Sequence, residues 1–332
     1  MYVTREENEG QSNAMGHVLI TGAFGFVGTN LSAYLAERGR GVWALDVAGA
    51  SPASGGAYAR LFTWDDLDRV PWGEIDAVVH LAGKAHDTQR TVDAQSYFDI
   101  NAGLTDRIVR RIVDAAPPRP IRFILFSSVK ACADAVDGEL TEDAAPAPQT
   151  PYGKSKLEAE RIVREAAASR PEALCGVILR PCMIHGPGNK GNLNLLYTLV
   201  RKGAPWPLGA FDNQRSFASI GNVCAVVDGL LTGYAASGIY QVADDETLST
   251  NELITLMAET LGKPARIWRV SAGWIRRAAR IGDALRLPLN SERLRKLTES
   301  YVVSNQKIKS VLGWKTMPVA TRAAMKLTLN RL

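Results

Sequence analysis

Tyr152 and Lys156 stand four residues apart in the segment PYGKSKLEAERIVREAAA, whose apolar spacing predicts a helix opened by Pro151. At that spacing they share one helix face. A free phenol titrates near about 10 and is a weak base at neutral pH. A neighbouring ammonium and the positive end of a helix both favour the phenolate. Just upstream, the apolar run Ile121–Phe126 predicts a buried strand that ends in two hydroxyls, Ser127 and Ser128. A strand-end hydroxyl bonded to the same substrate oxygen as the phenol completes a proton-transfer site for an alcohol/ketone pair. A Tyr–Lys pair is also a common feature of solvated helix surfaces, so the chemistry depends on the elements around it.

Those elements begin with His17–Thr21, a short predicted strand that runs into TGAFGFVG and a helical segment, NLSAYLAERG. Gly22, Gly25 and Gly28 follow a G-x-x-G-x-x-G spacing. Small residues between a strand and a helix let backbone N–H groups and a helix N-terminus approach a pyrophosphate. Gly41–Asp46 is the second strand, and Asp46 lies 18 residues beyond Gly28. An acid there accepts the adenosine ribose hydroxyls and repels a 2′-phosphate, which favours NAD over NADP. A third strand is followed by Asp65 and Asp66, either of which is placed to meet the adenine amino group. Asp76–Gly83 is the fourth, ending in small residues that let a cofactor pass. Lys84 and His86 follow, and surface exposure accounts for them as well as substrate contact does. Thr91–Ala116 predicts one long helix, in which Asn101 braces the active-site strand or caps a bend. Ala173–Pro181 is the sixth strand. This alternation predicts an α/β Rossmann fold, a doubly wound, mostly parallel sheet covered on both faces.

Beyond Pro181 the chain turns Gly/Asn-rich, then Pro- and aromatic-rich. The expected division is a cofactor-binding domain over 15–181 and a smaller mixed α/β substrate domain over 182–332, some later segments returning to the first. Arg215 suits a diphosphate because of its fork of donors, with a plain surface role at even weight. Ser249 or Thr250 with Glu252 has the pattern of a helix cap. In SAGWIRRAARIGDALRL, residues Trp274, Ala278, Ile281 and Leu285 fall on one helical stripe, with arginines mainly elsewhere. Such a stripe usually packs on its own domain. A cationic amphipathic helix with Trp can also rest on an anionic bilayer, which marks 266–290 for peripheral membrane contact.

The 332 residues are 46% hydrophobic, ample for a core, yet no apolar run reaches the length of about 18 that a membrane span needs. Residues 1–14 are polar and end in Ser-Asn-Ala before Met15, which suggests a vector-derived leader. Cys132, Cys175, Cys182 and Cys224 show no paired spacing and read as reduced cytoplasmic thiols. Four scattered histidines predict no metal site. The formal charge is +5, but Leu261–Ser300 holds ten Lys/Arg against three Asp/Glu, so the rest is near neutral. That implies a local basic surface and no nucleic-acid partner.

With these motifs assembled, TGAFGFVG, Asp46, HLAG, FSSVK, PYGKSK, LRP and GPG resemble, in order and spacing, the NAD-dependent epimerase/dehydratase family of extended short-chain dehydrogenases. The resemblance implies a Ser128, Tyr152, Lys156 triad and NAD bound by Gly22, Phe24, Gly25, Phe26, Val27, Gly28, Asp46, Asp65, Asp66, Leu67, Leu81, Ala82, Gly83, Asn101, Ser127 and Pro181 together with Tyr152 and Lys156. PLGAFDNQRSF and GNKGNLNLL are similar to a UDP-glucose 4-epimerase-like subgroup, which implies substrate contacts from Lys84, Ser128, Asn192, Leu193 and Arg215. The subgroup acts on sugars carried by UDP or undecaprenyl diphosphate. Met183 stands near the place of an Asn found in UDP-galactose epimerases, and their C-terminal phosphate-binding Arg has no clear match, which shifts weight toward a lipid carrier.

The expected function is therefore an NAD-dependent sugar 4-epimerase of surface polysaccharide biosynthesis, cytoplasmic, a homodimer through the 91–116 and Tyr152 helices. Its rivals are a 4-keto sugar reductase using NAD(P)H and, in another class, a non-catalytic NAD sensor or scaffold. A 4,6-dehydratase fits less well, because the Asp-Glu that follows the serine in those enzymes is here Val129-Lys130.

Overall fold

A computed structural model describes residues 16–51, 57–84, 93–189, 192–233, 236–285 and 290–332. The proposed leader and His86 lie outside them.

The chain alternates as expected. In order come β1 (His17–Thr21), α1 (Phe26–Ala36), β2 (Val42–Asp46), β3 (Arg60–Thr63), β4 (Ile75–His80), α2 (Ala94–Asn101), α3 (Gly103–Ala115) and β5 (Ile121–Phe126). After a short β6 (Glu139–Leu140) follow α4 (Pro151–Ser169) and β7 (Leu174–Pro181). Later elements are β8 (Met183–His185), α5 (Asn192–Arg201), β9 (Phe217–Ser219), α6 (Ile220–Thr232) and β10 (Gly238–Val242). The chain closes with α7 (Thr250–Thr260), α8 (Ala272–Leu285), α9 (Ser291–Thr298), β11 (Val302–Val303), α10 (Gln306–Leu312) and α11 (Thr321–Leu329).

Seven strands form one sheet in the order β10-β7-β5-β4-β1-β2-β3, every pairing parallel. The order reverses between β1 and β4, so the ligand crevice lies at their carboxyl ends. Strand alternation supplies two cores. Val18 and Ile20 of β1 join one with Leu31, Leu35 and Val223, while Leu19 joins the other with Ile108, Ile112 and Val163. Helices α1 and α6 thus cover one face, and α3 and α4 the other. A third core, around Trp206, Phe217, Leu253 and Met257, belongs to the carboxyl-terminal region, which contains the short β8–β9 pair and lends β11 to pair with β6 of the amino-terminal half.

Two elements differ from expectation. The long helix bends at Ala102 into α2 and α3; Ala102 keeps helical dihedrals (φ −89°, ψ −43°), so the chain kinks without stopping. In α8 the packing stripe is Ile275, Ala279 and Gly282, and the Trp274 stripe faces outward. The residues with the larger apolar side chains are therefore the ones left in solvent.

Candidate active site

The glycine turn is built by close approach. Gly22 sits at φ +63°, where an L side chain is strained, and a Cβ there falls 2.7 Å from the Ala82 nitrogen. At Gly28 a Cβ falls 2.4 Å from the Ala23 carbonyl oxygen, so only glycine lets α1 pack on the turn. Gly25 is the N-cap of α1 and caps it with no side chain, and no acid lies in the first turn. The N–H groups of Phe26 and Val27 therefore sit at an uncapped, positive helix end, which fits a pyrophosphate. Asp46 closes β2 beside them, its Oδ2 accepting from the Phe24 N–H at 2.9 Å and its Oδ1 from the Val47 N–H at 2.8 Å. These residues fit a dinucleotide.

The two acids after β3 separate. Asp66 accepts from the Thr63 N–H at 3.0 Å and the Thr63 hydroxyl at 2.7 Å, and those bonds hold its carboxyl below the usual range. Asp65 is exposed and, among the described residues, takes no part in that cap, and Leu67 is buried in the sheet core.

At the end of β5 the two serines point apart, as successive residues on extended backbone do. The Ser127 hydroxyl donates to Glu160, and Ser128, with φ −161° and ψ 151°, presents its own to Tyr152. Thr150 caps α4 from outside by accepting from the Gly153 N–H, with Pro151 in the first turn, so Tyr152 enters at the helix N-terminus. Lys156, 7% exposed, donates from Nζ to the Phe126 carbonyl at 2.9 Å. A Cβ on Gly83 would stand 3.0 Å from that nitrogen, so the small residue ending the β4 segment makes room for it. Burial pulls the Lys156 pKa down to about 8, with Glu160 pulling the other way. The depression expected for Tyr152 is not found. Burial raises its pKa, the Ser128 hydrogen bond opposes that, and Tyr97, edge-on at 6.1 Å, adds to it. With the lysine turned to Phe126, desolvation of the phenolate outweighs the favourable partners.

Asn101 is a brace. Its Oδ1 accepts from the Lys84 N–H at 2.8 Å, and its Nδ2 donates to Ser155 at 2.9 Å. The Lys84 ammonium reaches Ser96 at 3.0 Å. Behind Asn101 runs a buried relay that the sequence reading passed over. The Thr105 hydroxyl donates to the Asn101 carbonyl at 2.7 Å, so Thr105 accepts from His80 Nε2 (3.1 Å). Nδ1 then accepts from Thr21 (2.7 Å), whose oxygen accepts from the Ala82 N–H (3.1 Å). His80 is thereby a neutral Nε2–H tautomer. Burial first, then Lys156, holds its pKa at about 3.

Glu160, also passed over, extends the Tyr152–Lys156 face by one more turn and is closed by Arg180 of β7. The continued i, i+4 spacing was the signal for it.

Lys130 lies two residues past Ser128. Its Nζ donates to the Asp134 carbonyl at 2.8 Å and sits 4.2 Å over the Tyr301 ring. Arg215 donates to the carbonyls of Glu299 (3.2 Å) and Lys296. Burial lowers the pKa of both; Arg215 and Lys296 lower that of Lys130 further, Asp134 and Glu299 oppose them, and Glu299 alone raises that of Arg215. Among the described residues neither cation has a carboxylate within ion-pair distance. Leu193 packs in the third core, Pro181 ends β7 buried, and Leu81 and Ala82 follow β4 against the glycine turn. The side chain of Asn192 lies outside the described residues.

A parallel sheet in this order, a glycine turn into α1 and a Ser–Tyr–Lys set at the β5–α4 junction define a dinucleotide-dependent enzyme of the short-chain dehydrogenase type. The model of the NAD dependent epimerase/dehydratase family matches residues 18–243, and the chain belongs to that family. Its cofactor is NAD. It is 31% identical to a UDP-glucose 4-epimerase of Vibrio cholerae over 315 residues, 90% of each chain. It is 28% identical to the N-acetyl-alpha-D-glucosaminyl-diphospho-ditrans,octacis-undecaprenol 4-epimerase of Escherichia coli O157:H7 over 255 residues, 74% of this chain and 73% of that one. The fold matches a Thermus thermophilus UDP-glucose 4-epimerase in complex with NAD, with a TM-score of 0.72 at 21% identity, over 95% of this chain and 98% of that one.

Proposed function

We propose that the protein is a sugar 4-epimerase acting on a diphosphate-linked N-acetylhexose through a 4-keto intermediate, in surface polysaccharide biosynthesis at the cytoplasmic side of the membrane. The observation that carries this is the meeting of Tyr152 and Ser128 beside Lys156, at the strand ends next to the glycine turn. NAD supplies a hydride acceptor, and then a donor, for the sugar C4. Burial raises the Tyr152 pKa, so the phenolate that would take the proton of the 4-hydroxyl and return it needs the positive charge that a bound nicotinamide would bring. Ser128 hydrogen-bonds the same oxygen and steadies it as it becomes a carbonyl. Lys156 holds the nicotinamide ribose from the floor of the site. Asp65 meets the adenine, and Asp46 the ribose.

Lys130 and Arg215, two cations that meet neutral carbonyls and a ring and no carboxylate among the described residues, suit the diphosphate of the carrier. The carrier is UDP or undecaprenyl diphosphate. The outer faces of α3 and α4, with Asp106, Arg110, Arg161 and Glu165 around Val109 and Ile162, form the surface for a homodimer.

The deciding experiment incubates purified protein with UDP-GlcNAc and, separately, undecaprenyl-diphosphate-GlcNAc, and analyses the released sugar. Formation of the C4 epimer without added cofactor is expected. A strict need for stoichiometric NAD(P)H would make the protein a 4-keto reductase. NAD binding with no turnover on either carrier would leave a sensor or scaffold.

A further inference from the structure

Helix α8 presents two apolar stripes. Ile275, Ala279 and Gly282 face the carboxyl-terminal core, while Trp274, Ile281 and Leu285 remain 68%, 57% and 64% exposed. With about 100° per residue, Trp274, Ala278, Ile281 and Leu285 fall on one line roughly a quarter turn from the buried face. Trp268, on the segment leading into α8, is 59% exposed as well. Large apolar side chains grouped on one surface mark an interaction site, unlike apolar residues scattered singly.

The charges around this stripe have one sign. Arg266, Arg269, Arg276, Arg277 and Arg280 are all exposed, against Asp283 alone between 266 and 285. Asp283 is occupied, accepting from the Ser291 hydroxyl and N–H. Among the described residues none of the five arginines forms an ion pair, and Arg277 lies 5.5 Å over the Trp274 ring. Apolar side chains with an aromatic at the rim, flanked by arginines that form no ion pair among the described residues, Arg266 donating to the Gly203 carbonyl and Arg276 lying over the Phe211 ring, complement an anionic bilayer surface. The apolar residues enter the acyl boundary and the arginines stay among lipid phosphates.

We propose that the Trp274–Ile281–Leu285 face of α8 is a docking surface for an anionic membrane. Its place in the fold gives that docking a use. Helix α9 packs against α8, and Arg215 donates to the Lys296 and Glu299 carbonyls at the end of α9. The cation assigned to the substrate diphosphate is thus tied to the element next to the docking helix.

This inference rests on the surface and stands apart from the identity of the reaction. The test is flotation of the full-length, NAD-loaded protein with phosphatidylcholine vesicles containing or lacking phosphatidylglycerol. Binding only to the anionic vesicles is expected, weakened at least tenfold by high salt. A variant carrying Trp274→Ser, Ile281→Ser and Leu285→Ser should lose at least tenfold in partitioning, with unchanged thermal midpoint and unchanged turnover of UDP-GlcNAc. Wild-type protein that ignores anionic vesicles, or a variant that floats as well as wild type, overturns the docking surface. A dimer in light scattering that the variant dissociates, without vesicle binding, assigns the stripe to a second copy of the chain instead. Failure to turn over either sugar, with flotation intact, counts against the proposed function alone.

Discussion

Glu160 grips Arg180 in a bidentate ion pair, Nε to Oε1 at 2.9 Å and Nη2 to Oε2 at 2.6 Å, with both side chains 1% exposed. The Ser127 hydroxyl donates to the same carboxylate. The pair joins α4 to β7 beneath the loop of Ser127 and Ser128, one turn beyond Lys156. It fixes the helix that carries Tyr152 against the central strands of the sheet.

Replacement of Glu160 by Gln leaves a buried guanidinium without its counter-charge. A loss of about 3–5 kcal/mol is expected in chemical denaturation. Because Glu160 also holds the Lys156 pKa up, the same variant should lower it. If Lys156 must be charged for turnover, loss of its ammonium as pH rises through about 8 should appear as the alkaline limb of activity in the wild type. In Glu160→Gln that limb should move to lower pH, and an unmoved limb would separate the ion pair from the lysine.

Tyr152→Phe should lower kcat by about 10²–10⁴ while the protein still retains NAD. Ser128→Ala should cost less, about 1.5–3 kcal/mol of transition-state stabilisation for one hydrogen bond to a charged oxygen. Ser127→Ala, whose hydroxyl faces Glu160, should show a lower thermal midpoint and a nearly normal kcat. Equal kinetic losses for the two serines would contradict their opposite orientation.

Acid should destabilise the fold through His80. Its folded pKa is about 3 against an ordinary value of about 6.5. Between those values the unfolded chain binds a proton that the folded chain refuses, so stability falls as pH drops. The slope is about 1.4 kcal/mol per pH unit, and above about pH 6.5 the penalty is absent. His80→Asn should be less stable at pH 7, having lost the Thr21–Thr105 relay, yet show a shallower decline between pH 6 and pH 4. Urea melts across that range read the difference.

Asp65→Ala should weaken NAD binding several-fold in calorimetry and leave the thermal midpoint unchanged. Asp66→Ala should do the reverse, since its carboxylate caps the turn at Thr63. The opposite pattern would exchange their roles.

Lys130→Gln and Arg215→Gln should each raise KM for a diphosphate-linked sugar about tenfold or more, the worth of about 1.5–3 kcal/mol for a charged hydrogen bond, with NAD content unchanged. A fall in kcat with KM unaltered would place Lys130 at the reacting carbon instead.

Much of this was legible in the chain. The apolar runs of β1, β4, β5 and β7, the glycine turn and the helix shared by Tyr152 and Lys156 follow from local periods and turn chemistry. So do caps such as Ser249 with Glu252, which form a reciprocal pair of hydrogen bonds. Each is set by residues a few positions apart, whose backbone geometry the sequence dictates.

Tertiary packing decided the rest. Ser127 and Ser128 are chemically the same, the family resemblance points to Ser128, and the Glu160–Arg180 pair that takes the Ser127 hydroxyl supplies the physical reason. Asp65 and Asp66 differ by which is claimed by the turn at Thr63. In α8 the spacing shows two apolar stripes, and the neighbours available to each determine that the smaller side chains are buried. The Tyr152 pKa depends on burial more than on the lysine one turn away. Sequence spacing fixes which groups share a face, whereas desolvation and partner choice are properties of what that face meets after folding.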